Sequence, residues 1–122
     1  MKIYSWLSLA LMVWLAACSK PLPELKGVNI ESWKADKYGC AGNREPFIET
    51  VRTQKNSLLA LSEMQIVDIL GKPDRTELSK RNQKYYYYYF QPGKDCQSPV
   101  LNPLRLSIRF NAVGLANEIT VD

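Results

Sequence analysis

Three cysteines and no histidine bound the chemistry open to this chain of 122 residues. Histidine is the commonest general base, so its absence removes Ser-His-Asp and Cys-His nucleophilic catalysis in their ordinary forms and leaves zinc sites without nitrogen ligands. Paired carboxylates still suit glycosidase chemistry. The pairs on offer, Glu45 with Glu49 and Asp74 with Glu77, have the spacing of solvated turn and helix-face charges. Gly71-Lys72 lacks the upstream glycine of a phosphate loop and follows a helix instead of a strand. The chain is therefore expected to be no enzyme and to carry no cofactor and no metal.

The cysteines have different neighbourhoods. Cys18 ends the stretch Leu15-Ala16-Ala17-Cys18, after a positive start at Met1-Lys2 and an apolar run from Ile3 to Leu15. That is the layout of a secretory signal peptide. The run is shorter than the roughly twenty residues that cross a bilayer, and Tyr4, Ser5 and Ser8 make a poor polar face for a buried helix. Small residues leading straight into a cysteine resemble the bacterial lipobox, where a peptidase cuts before a diacylated thiol. The resemblance implies a signal peptide over residues 1–17 and a lipid on Cys18 that anchors the chain to a membrane. An ordinary signal with an incidental cysteine is the competing reading. Serine at position 19, where an aspartate favours inner-membrane retention, leans towards the outer membrane, facing the periplasm. Cys40 and Cys96 are then an even pair in a compartment that permits disulfides. They are expected to be joined, closing a loop of about 57 residues and stabilising the fold by roughly 4 kcal/mol on the chain-entropy model.

What remains after residue 17 is enough for one core and too little for two. Of the 16 Lys and Arg only Lys2 lies in the leader, so the remainder keeps a mild basic excess over 12 Asp and Glu. These charges are scattered along the chain, not gathered into a basic stripe, and no nucleic-acid partner is expected. Residues 18–32, with Pro21, Pro23 and Gly27 and no periodic pattern, read as a lipidated cysteine and tether. Residues 33–122 read as a single α+β domain, beginning with an irregular arm from Trp33 to Gly42.

Within that domain Asn43 is a candidate cap for a helix from Pro46 to about Lys55, which places Phe47, Ile48 and Val51 on one face. Ser62 and Gln65 form a capping box for a second helix carrying Ile66, Val67, Ile69 and Leu70, with Gly71 as a left-handed stop and Pro73 beyond it. After Pro73 the period changes to two. Arg75 to Leu78 reads as a short strand, and Tyr85 to Phe90 as an aromatic strand. Phe90, lacking a hydroxyl, points Tyr86, Tyr88 and Phe90 towards the core, while a tyrosine whose hydroxyl finds a partner can also be buried, which leaves the opposite orientation open. Leu104 to Phe110 alternates with Leu104, Leu106, Ile108 and Phe110 inward, and Leu115 to Val121 reads as a last strand with Leu115, Ile119 and Val121 inward. The expected architecture is two N-terminal helices packed on one face of a three- to four-stranded antiparallel meander.

The polar cap before a short helix, Ile69-Leu70-Gly71-Lys72-Pro73, the aromatic strand and Arg109-Phe110-Asn111 with Gly114 in the turn resemble the small SmpA/OmlA/BamE-type outer-membrane lipoproteins. A related plan occurs in beta-lactamase-inhibitor-protein-like domains. The resemblance covers roughly Leu58 to Val121. It implies action by binding: a protein partner in the cell envelope, in envelope maintenance or outer-membrane assembly, or else inhibition of a secreted enzyme in the manner of an immunity protein. Alternation puts Tyr85, Tyr87 and Tyr89 beside Arg105 and Arg109 on the outward side of the sheet. Tyrosine and arginine are enriched at binding hot spots, and these five are the candidate contact residues. Cross-strand support of the sheet explains the same pattern without a partner.

Overall fold

Four extended stretches pair into one antiparallel sheet, and the helices before them cover one side of it. A computed structural model describes residues 21–122. The signal-peptide reading, Cys18 and Ser19 lie outside the described residues. The elements are α1 (Ile30–Ala35), α2 (Ile48–Gln54), α3 (Glu63–Leu70), β1 (Arg75–Ser79), β2 (Gln83–Tyr89), β3 (Arg105–Phe110) and β4 (Ala116–Val121). The strands lie in chain order, each antiparallel to the next. The fold is α+β, with the helices N-terminal to the strands, and the described residues hold one α-helix more than the two expected.

The additional helix, α1, takes in the last residues of the stretch expected to be a tether and, with Trp33 to Ala35, the start of the arm expected to be irregular. The Asn29 side chain caps it by accepting from the Ser32 amide. Its one fully buried residue, Trp33, sets its ring edge-on against Phe90 at 5.4 Å and donates from Nε1 to the Leu70 carbonyl at 3.1 Å. Leu25, further upstream, is also in the core. A six-residue helix is too short to show a hydrophobic period, and sequence reasoning missed its local signals, Asn29 as cap with Glu31 in the first turn and Lys34 in the last.

The Ser62 hydroxyl accepts from the Gln65 amide, and the Gln65 side chain returns to the Ser62 amide, closing the capping box at the start of α3. Ile66, Ile69 and Leu70 are the buried residues of that helix. Gly71 ends it at φ +83° and ψ −176°, a region essentially restricted to glycine but not the left-handed helical one expected. Asn43 is not the cap of α2. The chain enters α2 through a 3₁₀ turn at Glu45–Phe47, and the free amides of Ala41, Asn43 and Arg44 instead donate to the buried carboxylate of Asp36.

Tyr86, Tyr88 and Phe90 face the helices together with Leu106, Ile108, Phe110 and Ile119. Burial of tyrosine demands a partner for its hydroxyl, and here Tyr88 donates to the Gly71 carbonyl at 2.8 Å and Tyr86 to Glu63 at 3.0 Å. Leu115 departs from the expected pattern. The register shifts so that Arg109 pairs with Glu118 but Phe110 with Ala116, leaving Asn117 as an extra residue. Ala116 takes the inward place and Leu115 is 37% exposed. Cys40 and Cys96 are joined, with their Cα atoms 5.4 Å apart. The bond ties the loop after α1 to the long connection between β2 and β3.

Candidate functional site

With the helices on one side, the other side of the sheet consists of cross-strand rows of polar and aromatic residues. One row runs Glu77, Tyr85, Arg109, Glu118, and the next Arg75, Tyr87, Ser107, Thr120. Tyr89 and Arg105 begin a third, closed by reciprocal backbone hydrogen bonds between Arg105 and Asp122. All five candidate contact residues therefore share this face.

They do not share the same exposure. Tyr85 stacks on Tyr87 with ring centres 6.0 Å apart and planes within 8°, while the Arg105 guanidinium lies 4.0 Å above the Tyr87 ring. The Tyr87 hydroxyl donates to Glu77 at 3.0 Å. Tyr87 is consequently only 8% exposed, and burial, aided by the bond to Glu77, pushes its phenol up to about 12. Tyr89, also 8% exposed, lies against Gly93 in the loop that carries Cys96. Arg109 pairs with Glu118 at 2.6 Å and donates to Asn117. Tyr85, Arg105 and Arg109 remain half-buried and within reach of a partner, whereas Tyr87 and Tyr89 act chiefly as their support.

The tyrosines give this sheet an alkaline limit. Tyr86 and Tyr88 are shifted upward too, each chiefly by burial, so all three phenols are held neutral in the fold. A group raised in the folded state contributes stability that is complete below its unfolded value, near 10 for tyrosine, and is lost as pH climbs through the folded value. For Tyr87 that window is about pH 10 to 12. Tyrosinate absorbance followed alongside circular dichroism is expected to show a late-ionising group of tyrosines whose deprotonation coincides with loss of the sheet. Ionisation of every tyrosine near pH 10 with the sheet intact would contradict the packing described.

The paired-carboxylate candidates have structural roles. Asp74 is not a solvated turn charge: its side chain is buried against Arg44, with Nη1 at 2.5 Å, and it accepts from the Tyr38 and Tyr89 amides. Arg44 also donates from Nε to the Trp33 carbonyl. Sequence reasoning missed this network, because the groups that satisfy Asp36 and Asp74 are largely backbone amides with no residue-type signature. Glu49 pairs with Arg52 on the surface, and Glu45 accepts from Gln91. Among the described residues no group of three or more His, Cys, Asp or Glu is placed to hold a metal ion. None of their helices is long and apolar enough to cross a membrane.

Fold and face together define an α+β domain with helices on one side of a meander and an uncovered tyrosine-arginine side on the other. The chain matches no family model, no curated protein and no solved structure.

Proposed function

We propose that this chain is a non-enzymatic, lipid-anchored protein of the cell envelope that binds another protein through the outward face of its sheet. The observation that carries the reading is that Tyr85, Arg105 and Arg109 lie half-exposed on one side of the sheet, held in place by stacking on Tyr87 and by the Glu118 ion pair. Side chains already fixed by their neighbours lose little freedom on binding, so more of their contact energy appears as affinity. Lipid on Cys18 supplies the anchor, and the resemblance to outer-membrane lipoproteins supplies the setting, envelope maintenance or outer-membrane assembly.

The test is capture of partners by the full-length chain extracted from its own envelope in detergent. Tyr85→Ala combined with Arg109→Glu is expected to weaken a specific partner by tenfold or more, about 1.4 kcal/mol, without altering the circular dichroism. Retention of every partner by that variant would refute the face. Labelled palmitate is expected to enter the wild-type chain and not Cys18→Ser, and an unlabelled wild-type product would remove the anchor. Recovery of a single secreted hydrolase would point to the inhibitor class in place of envelope assembly.

A further inference from the structure

The two edges of the sheet are finished differently. At β4 the Ala60 amide donates to the Ala116 carbonyl, the Ala116 amide to Leu61, and Lys55 to the Ile119 carbonyl, so that edge is occupied. β1 ends the strand order, and no described strand lies beyond it. Antiparallel geometry directs alternate N–H and C=O groups of Arg75–Ser79 away from β2, towards open space.

The helix side of this edge is also uncovered. Leu78 there is 76% exposed, and Met64 on α3 is 78% exposed. Between α3 and β1 runs an open groove of about 480 Å³, with Val67, Pro73, Thr76 and Tyr86 in its lining and Lys37 and Lys72 at its margin. Lys80 and Arg81 occupy the turn at the far end of β1. Among the described residues none of these four cations has a salt-bridge partner. Of the carboxylates nearby, Asp74 pairs with Arg44 and Glu63 with Lys84, Glu77 accepts from the Tyr87 hydroxyl, and Asp68 on α3 is exposed.

We propose that the β1 edge accepts an extended acidic segment of a partner protein as a fifth strand. Main-chain hydrogen bonds to β1 would supply affinity, and alternate side chains entering the groove against Val67, Thr76 and Tyr86 would supply specificity. Carboxylates of the segment meet Lys37 and Lys72 at one end and Lys80 and Arg81 at the other. Five residues at about 3.3 Å each make an edge of roughly 17 Å, enough for a segment of about five to seven residues. A second copy of the chain fits poorly. Antiparallel pairing of two β1 edges sets Lys72 of one beside Arg81 of the other, and parallel pairing aligns each cation with itself, both repulsive.

The inference rests on the chain being a binding domain and adds the chemistry of what it binds. The probe is an acetylated seven-residue peptide, Glu-Glu-Val-Thr-Val-Glu-Glu, which sends both valines to one side and carries glutamates at both ends, titrated into the full-length chain in detergent. Two companions replace glutamate by lysine or methylate every backbone nitrogen. The glutamate peptide is expected to bind and to shift the amides of β1, both companions to bind at least about tenfold more weakly, and Lys37→Glu with Lys72→Glu to lose about the same. Both lysines are exposed, so unchanged circular dichroism separates lost binding from lost folding. Failure of all three peptides, equal binding of the lysine peptide, or dimerisation through β1 would overturn the edge. Shifts confined to Tyr85 and Arg109 would also overturn it while leaving the outward-face reading intact.

Discussion

Arg44→Ala is expected to lower the stability of the domain by about 3–5 kcal/mol, the cost of breaking a buried ion pair from one side. Arg44 is fully buried, pairs with Asp74, and donates to the carbonyls of Trp33 and Tyr89. Its removal strands the Asp74 carboxylate in the interior and leaves both carbonyls without that donor. Replacing the pair with apolar residues does not restore the fold, because Asp74 also holds the Tyr38 and Tyr89 amides. Small domains have only about 5–15 kcal/mol to lose. Urea unfolding followed by circular dichroism measures the change, and a loss below about 1 kcal/mol would show that the pair is not buried as described.

Trp33→Ala is expected to cost a similar about 3–5 kcal/mol, the range for deleting a buried aromatic. The ring fills space against Phe90 and Tyr88, and the Arg44 guanidinium lies 4.9 Å from its centre. Trp33→Phe keeps most of the apolar contact and loses the bond to the Leu70 carbonyl, so about 1–3 kcal/mol is expected for it. Thermal or urea unfolding of the two variants separates packing from hydrogen bonding. If Trp33→Ala were neutral, residues 30–35 would be a tether after all and the domain would begin later.

The sheet was legible in the sequence because period-two alternation is a direct image of which side of a strand is dry. Leu106, Ile108 and Phe110 needed no further information, whereas the all-aromatic run Tyr85 to Phe90 carries no such alternation and its inner side was signalled only by Phe90, which has no hydroxyl to satisfy. The α3 cap was legible for the same kind of reason, since Ser62 and Gln65 satisfy each other locally. Asp36 was not, as its partners are amides five to eight residues further on and a carboxylate's type does not reveal them. Nor was the exposure of Leu115, which depends on a one-residue bulge that alternation alone does not signal. At the candidate site the side of the sheet was readable. The burial of Tyr87 and Tyr89 was not, because Arg105 and the Gly93 turn that cover them arrive from elsewhere in the chain.

The two proposed surfaces adjoin. The outward rows begin at Arg75 and Glu77 on β1, the same strand whose edge is free. A partner strand laid along β1 would extend both the groove side and the tyrosine side of the sheet, so one protein could reach both. The disulfide favours such use, since it holds the Tyr38 and Cys96 loops together near the Asp74 end of the edge.

That the chain works by touching a partner with its open sheet side is tested most directly by site-specific photo-crosslinking in living cells. A crosslinking residue is placed at Tyr85 or Arg109 on the sheet and at Thr53, exposed on α2. The two sheet positions are expected to capture one common protein that Thr53 does not. No adduct from either sheet position, or the same adducts from Thr53, would contradict it.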